Sequence, residues 1–259
     1  MRIVPARNGW LWLVKGFALF RKSPAMWIFL VLTYWIAMAL LGQIRYLGVA
    51  TSTVLLPAVS VSFMIMCAAL DRGATLRPAL LVSGFQSGLA TLLLLGVWYL
   101  LSIAAALGIA SIADGGALLQ WVILGQEPPI GAIRDGSVSR AFMLAAAAGT
   151  PILMAFWFAP VLVAWDRMGA GKALFYSFFS VLRNWRAFLV YAGAFVLAGA
   201  AFLLLTGAIV VVTGGLVAAM HFFGIAFTLL TLPTIFGSFY AGYRDIFPGN
   251  TGPETTDST

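Results

Sequence analysis

The stretch that decides the fold is residues 187–243, which read AFLVYAGAFVLAGAAFLLLTGAIVVVTGGLVAAMHFFGIAFTLLTLPTIFGSFYAGY and contain no Asp, Glu, Lys or Arg. A membrane-spanning helix needs about 20 apolar residues, because each residue rises ~1.5 Å and the hydrocarbon core is ~30 Å thick. The 57 residues of this stretch are too many for one span and enough for two. Thr213-Gly214-Gly215 is the predicted break, because glycine is unfavourable inside helices.

Four further charge-free runs are long enough to cross a bilayer. They are residues 23–44, 46–70, 78–113 and 141–165. The sequence therefore predicts an all-α integral membrane protein with six transmembrane helices, at about 24–43, 48–70, 87–112, 141–165, 187–212 and 217–242. These spans form a single membrane domain, residues 1–247, and the polar segment 248–259 is predicted to be a disordered cytoplasmic tail.

The composition excludes most other classes of protein. Of the 259 residues, 62% are hydrophobic and only 9% are charged, whereas soluble domains carry about 25% charged residues. The single Cys and single His exclude an intrachain disulfide and a multi-His metal site, so neither a metal nor a cofactor is expected. The net charge of +7 comes from basic residues at the membrane boundaries, which argues against nucleic acid as a partner.

The basic residues also predict the orientation. If the N-terminus is cytoplasmic, twelve of the fifteen Lys and Arg residues lie in inside segments, and only Arg45, Arg134 and Arg140 lie outside. Cytoplasmic segments of membrane proteins carry an excess of Lys and Arg. We therefore expect a multi-pass protein of the bacterial inner membrane with both termini in the cytoplasm.

An internal repeat is predicted from three proline-containing spans. The second, fourth and sixth spans each carry a proline 12 to 15 residues before an Asp that adjoins an Arg. The pairs are Pro57 with Asp71-Arg72, Pro151 with Asp166-Arg167, and Pro233 with Arg244-Asp245. Three units follow, residues 8–72, 73–167 and 168–247, each with an interfacial helix and a two-span hairpin. The alternative is that apolar sequences of low complexity imitate one another.

Two segments, 8–22 and 170–183, have the pattern of amphipathic interfacial helices, which attract anionic lipids when they are basic. In 8–22, Trp10 and Phe17 are predicted to face the membrane, opposite Lys15 and Lys22. Trp10, Trp12, Phe175 and Phe179 are the predicted aromatic anchors. The candidate lipid-headgroup contacts are Lys15, Lys22, Arg72, Arg167, Lys172 and Arg183. The alternative is that these helices only cap the bundle and set the topology.

Two further groups of residues are given structural roles. Asp71 and Asp166 lie where a span ends and the next interfacial helix begins, so they are candidate helix-entry caps. Proline removes a backbone hydrogen bond and bends a helix. Four prolines are candidate kinks: Pro57, Pro151, Pro160 and Pro233.

Two blocks of sequence resemble known families. The block Arg7-Asn-Gly-Trp-Leu-Trp-Leu-Val-Lys15-Gly-Phe-Ala-Leu-Phe20, with Pro24 after it, looks like the opening of an uncharacterised proteobacterial family of polytopic inner-membrane proteins. So does the block that runs from Phe158-Ala-Pro160-Val-Leu-Val through Lys172-Ala-Leu174 and Ser177-Phe-Phe to Asn184-Trp-Arg-Ala-Phe188-Leu. This second block is also distantly similar to membrane domains attached to glycerophosphodiester phosphodiesterases. The resemblance implies a polytopic inner-membrane protein and no activity, because the chain has no phosphodiesterase domain.

The expected function is that of a non-enzymatic inner-membrane protein that interacts with lipids, anionic lipids in particular, or with a membrane-protein partner or a second copy of itself. The spans contain no charged residue, which argues against an ion-coupled pump. The alternative is a carrier or channel for a hydrophobic or neutral small solute. A continuous polar cavity would favour the carrier, and it would be lined by Thr53, Ser60, Ser62, Thr150, Thr228 and Thr231.

Overall fold

The computed structural model describes residues 1–44, 47–212 and 217–249. In these ranges the chain is helical and contains no β-strand. Six helical segments are long and apolar enough to cross a membrane, which confirms the predicted fold class: Pro24–Gly42, Gly48–Asp71, Leu89–Asp114, Ser137–Asp166, Trp185–Val212 and Phe222–Ile246. The predicted break at Thr213-Gly214-Gly215 and residues 250–259 of the predicted tail lie outside the described residues.

Each successive pair of spans is preceded by a shorter helix. They are α1 (Asn8–Lys22), α2 (Pro24–Gly42), α3 (Leu47–Asp71), a 3₁₀ helix (Pro78–Gln86), α4 (Leu89–Asp114), α5 (Ala117–Leu124), α6 (Ile130–Arg134), α7 (Ser137–Phe156), α8 (Ala159–Asp166), α9 (Ala170–Arg183), α10 (Trp185–Val212) and α11 (Val217–Ile246). The short elements α5 and α6 lie between the third and fourth spans, and α7 with α8 makes up the fourth span.

Helix α3 lies at the centre of the bundle, where it packs against α2, α4, α8, α11 and the 3₁₀ helix. Every residue from 61 to 70 is buried. The Phe63 ring is stacked between Trp27 of α2, at 6.1 Å, and Phe236 of α11, at 4.4 Å between ring centroids. Since lipid is as apolar as these side chains, the helices are held together by close packing rather than by exclusion of water.

The fourth span is broken, whereas the sequence predicted only a proline kink. Helix α7 ends at Phe156 and α8 begins at Ala159, with Pro160 in its first turn. Backbone groups freed at membrane depth need a partner inside the protein. Ser177 of α9 provides one, because its hydroxyl accepts a 2.9 Å hydrogen bond from the Phe158 N–H and donates one of 2.9 Å to the Met154 carbonyl.

The other three candidate kink residues, Pro57, Pro151 and Pro233, lie inside continuous helices. Just beyond Pro57, Gly84 of the 3₁₀ helix packs directly against the backbone of α3. A Cβ on Gly84 would collide with the Ala58 carbonyl oxygen and the Ser62 nitrogen, one and five residues after the proline. The Gly84 N–H donates a 3.0 Å hydrogen bond to the Ser62 hydroxyl, so only glycine fits this contact.

The same contact recurs between α1 and α11. A Cβ on Gly16 would collide with the Thr234 carbonyl oxygen and the Ser238 nitrogen, which again lie one and five residues after a proline, here Pro233. In both cases a short helix of one predicted unit packs on the proline-containing helix of another unit. The contacted atoms lie at the same positions relative to the proline. This correspondence supports the threefold repeat, which stays a prediction.

Candidate functional site

Three carboxylates gather at one end of the bundle, at or near the C-terminal ends of α3, α8 and α11. They belong to Asp71, Asp166 and Asp245, and the first two are joined to α11 by hydrogen bonds. We call this region the charged end. A helix C-terminus carries a partial negative charge and disfavours a carboxylate, so each of these side chains needs donors supplied by another element.

Asp71 receives its donors from α11. The Tyr240 hydroxyl donates a hydrogen bond of 2.9 Å to Oδ2 of Asp71, and Nη1 of Arg244 lies 3.0 Å from the same oxygen. Nη1 of Arg244 also donates to the Tyr240 hydroxyl at 2.8 Å. The Asp71 and Arg244 side chains are 43% and 38% exposed, so solvent weakens their ion pair to about 0–1 kcal/mol. The network joins the ends of α3 and α11.

Asp166 is bound in a similar way by a second tyrosine of α11. The fully buried Tyr243 donates a 2.8 Å hydrogen bond from its hydroxyl to Oδ2 of Asp166. Asp71 and Asp166 were predicted to cap the next interfacial helices. The residues directly before those helices, Arg77 and Gly169, make no side-chain capping hydrogen bond. The capping role of the two aspartates stays a prediction, and the contacts described here run to α11.

Asp245 is the acceptor for three side chains of α1. The Asn8 amide donates to it at 2.9 Å, the Trp12 indole N–H donates at 2.8 Å, and Lys15 Nζ lies 3.4 Å from its carboxylate. Trp12 is 1% exposed, and its ring packs edge-on against Phe188 at 5.3 Å. The prediction that Trp12 anchors α1 in the membrane is therefore wrong, because this ring faces the interior of the protein.

A cleft of about 430 Å³ opens between α1, α11 and the end of α3. Three basic and two acidic side chains line it together with one tyrosine: Lys15, Lys22, Arg244, Asp71, Asp245 and Tyr240. We call it the Tyr240 cleft. The Lys22 ammonium donates a 2.8 Å hydrogen bond to the Leu70 carbonyl, one of the carbonyls that a helix end leaves without an intrahelical partner. The cleft thus combines fixed positive and negative groups that are accessible from outside.

All six basic residues predicted to contact lipid headgroups are exposed. Lys15 and Lys22 line the Tyr240 cleft, and the other four lie at the ends of α3 and α8 or on α9: Arg72, Arg167, Lys172 and Arg183. The Lys172 ammonium lies 5.8 Å from the centre of the Tyr176 ring, one turn along α9. Contact of these residues with lipid stays a prediction.

A second cavity lies between α3, α4, α7, α8 and α11 and opens to the surface of the bundle, where exposed Leu56 and Leu153 belong to its lining. It has a volume of about 260 Å³ and is apolar apart from two hydroxyls; its lining includes Pro57, Ser60, Tyr99, Phe156, Pro160 and Phe236. We call it the proline cavity. Of the six hydroxyl residues expected to line a carrier, only Ser60 belongs to this cavity, and Thr231 lies at another groove. Thr53, Thr150 and Thr228 donate to carbonyls of their own helices.

Several residues with clear structural roles were missed in the sequence. Tyr240 and Tyr243 are three residues apart, which places both hydroxyls on neighbouring parts of one helix face. This spacing beside Arg244 could have indicated partners for the aspartates. The buried Asn184 amide accepts a 2.8 Å hydrogen bond from the Val4 N–H and donates one of 3.2 Å to the Arg2 carbonyl. It thereby fixes the segment before α1, and its position just after an amphipathic helix gave no local sign of that distant contact.

Aspartates do bind the start of a following helix at the opposite end of the bundle. Asp114 accepts hydrogen bonds from the backbone N–H groups of Gly116 and Leu118, at the start of α5. Asp135 accepts a 2.8 Å hydrogen bond from the Ser137 N–H at the start of α7, and this bond holds the pKa of Asp135 below its usual value.

Comparisons with known proteins agree with a membrane location. No family model matches the chain, and no solved structure matches it. A Burkholderia thailandensis protein named "Probable inner membrane protein" is 38% identical over 195 residues, which are 73% of this chain and 72% of the relative. The distant likeness to membrane domains of glycerophosphodiester phosphodiesterases stays a prediction. With its six apolar helices, the chain belongs to the same family of inner-membrane proteins as this relative.

Proposed function

We propose that this inner-membrane protein binds anionic lipids at its charged end and does not catalyse a reaction. The observation that carries the proposal is the exposure of all six candidate headgroup residues, which lie in the Tyr240 cleft, at the ends of α3 and α8, and on α9. Each Lys or Arg near an anionic leaflet contributes about 1 kcal/mol of attraction. Six such residues around one end favour lipid headgroups over an uncharged protein surface as the ligand.

The charged end is proposed to face the cytoplasm. The twelve-to-three distribution of basic residues supports this orientation. The start of the chain and the end of α11 then lie on the cytoplasmic side together, because the Arg2 N–H donates a 2.8 Å hydrogen bond to the Ile246 carbonyl. In bacteria the inner leaflet carries anionic headgroups, which are the expected ligands at this level.

The proline cavity supports a second candidate, a carrier for a hydrophobic solute. Its lining offers two hydroxyls, of Ser60 and Tyr99, among apolar side chains, so it suits an apolar molecule better than a neutral polar one. The exposed charged end has no role in such a carrier. Lipid binding uses both the charge distribution and the amphipathic helices, and we favour it for this reason.

Lipid-dependent thermal stability tests the proposal. A ligand that binds only the folded state raises the melting temperature by mass action. The purified protein should therefore melt at a higher temperature with phosphatidylglycerol than with the same concentration of phosphatidylcholine. The double variant Lys172→Gln/Arg183→Gln should lose a large part of this difference, since both side chains are exposed on α9 and neither makes a hydrogen bond to another helix among the residues that the structure describes.

A matched control removes two arginines from the other end of the bundle. Arg134→Gln/Arg140→Gln makes the same change in net charge, and these residues lie at the end of α6 and in the first turn of α7. This variant should keep the full response to phosphatidylglycerol. Equal responses of the two double variants would contradict lipid binding at the charged end.

A further inference from the structure

Helix α1 lies across the base of the hairpin formed by α10 and α11. At its start, a Cβ on Gly9 would collide with the Ala187 carbonyl oxygen and the Tyr191 nitrogen of α10. Two turns later, Gly16 makes the equally close contact with Ser238 of α11. The two glycines thus fix α1 to both spans, and its remaining faces point away from these two contacts.

Beyond α1, the two spans enclose an apolar opening. They meet again where the rings of Phe202 and Phe227 stack with their centroids 4.0 Å apart. Phe202 lies eleven residues beyond Tyr191, which is about 16 Å along a helix. Between these contacts lies a groove of about 490 Å³, which we call the α10–α11 window. Its lining includes Trp10, Val14 and Phe17 of α1, Gly199 of α10, and Phe227 and Thr234 of α11.

The window is an apolar groove with few polar groups in its lining. The Thr234 hydroxyl donates to the Leu230 carbonyl of its own helix, so it is satisfied without a ligand. At Gly199 a Cβ would meet no atom within 4 Å. No residue in the most apolar part of α10 is buried. Side chains that line a gap beside such a helix lose dispersion contacts. In a bilayer, a lipid acyl chain is the nearest material that restores these contacts.

The exposed face of α1 next to the window is basic at both ends. Arg7, Trp10, Val14, Phe17 and Arg21 recur at alternating spacings of three and four residues and therefore share one face of the helix. All five are exposed. The guanidinium group binds phosphate through paired hydrogen bonds, and a long arginine side chain reaches from an apolar surface to the headgroup level.

We propose that the α10–α11 window holds an acyl chain of an anionic phospholipid whose phosphate is bound by one of the two arginines, Arg7 or Arg21, that lie at the two ends of the exposed face of α1. The chain contacts the rings of Trp10, Phe17 and Phe227, and the headgroup lies over the exposed face of α1. This inference takes its class of ligand from the proposed function. Its site is separate, because the Tyr240 cleft is formed by the opposite side of α1, where Lys15 and Lys22 lie.

A photoactivatable phosphatidylglycerol with a diazirine in its acyl chain tests the site. The protein is reconstituted in vesicles that contain this probe, irradiated and digested, and the labelled peptides are mapped by mass spectrometry. Peptides of α1, α10 and α11 that line the window should carry label. Gly199→Trp fills the window and should reduce this label at least threefold. Gly193→Trp is the matched control, since Gly193 is also open but lies on the opposite face of α10, and it should leave the label unchanged.

The headgroup part of the proposal has its own variant. Arg7→Gln/Arg21→Gln should lower labelling of the window by the phosphatidylglycerol probe to the level of a phosphatidylcholine probe. Equal labelling of the Gly199→Trp and Gly193→Trp variants would overturn the site. If Lys172→Gln/Arg183→Gln loses the rise in melting temperature with phosphatidylglycerol but keeps the labelling of the window, the two sites are supported separately. Intact window labelling without any preference for anionic lipid would overturn the arginine assignment.

Discussion

The Tyr240 hydroxyl donates a 2.9 Å hydrogen bond to the Asp71 carboxylate, and this bond links the last helix of the bundle to the central one. Asp71 ends α3, the most buried span. A carboxylate at a helix C-terminus opposes the helix dipole. The tyrosine therefore stabilises a charge that α3 alone would disfavour.

We expect Tyr240→Phe to destabilise the protein by about 1.5–3 kcal/mol, the usual range for a hydrogen bond to a charged group. Thermal unfolding in detergent measures the effect. Tyr99→Phe is the control, because the Tyr99 ring packs on Phe156 and its hydroxyl makes no hydrogen bond within the described part of the chain. A melting temperature of Tyr240→Phe equal to that of Tyr99→Phe would show that the link to Asp71 contributes little.

The glycine contacts give a test of the predicted repeat. Gly16→Ala and Gly84→Ala should both destabilise the protein by a similar amount, on the order of 1–3 kcal/mol, because each added Cβ collides with backbone atoms of a proline helix. Gly108→Ala in α4 meets open space and should be neutral or stabilising. A neutral result at either Gly16 or Gly84, measured by thermal unfolding, would remove the equivalence of the two contacts.

The spans could be predicted because each charge-free run must be one helix or two in a bilayer. The break at Trp157–Phe158 could not, since the run 141–165 has no local sign of it except Pro160. The break depends on Ser177, which lies 19 residues beyond Phe158 and satisfies the freed backbone groups. Such a partner is visible only in the folded chain.

The site was predicted less completely than the spans. The exposed lysines of α1 were found from their seven-residue spacing. Trp12 was placed on the membrane side, although it lies between Gly9 and Gly16 on the face that packs against α10 and α11. The two glycines were a usable signal, because small residues mark faces where helices approach closely. The tyrosines that bind Asp71 and Asp166 come from a helix about 80 to 170 residues away.

The proposed topology makes a separate prediction. Alkaline phosphatase fused near Gln126 should be active, since the enzyme folds only outside the cytoplasm. Fusions near Gly169 or after Phe247 should be inactive. Activity of the Gly169 fusion would place the charged end outside and would contradict the orientation.

The central claim is that basic residues at the charged end bind anionic lipid. Native mass spectrometry of the protein purified with its bound lipids tests it most directly, on the wild type and on the quadruple variant Lys15→Gln/Lys22→Gln/Lys172→Gln/Arg183→Gln. At about 1 kcal/mol per basic residue, the four charges add several kcal/mol of preference, so the account predicts a large loss of bound phosphatidylglycerol and cardiolipin from a variant that still inserts in the membrane. Equal amounts of these lipids on the two proteins would contradict the account and would leave the basic residues a role in topology alone.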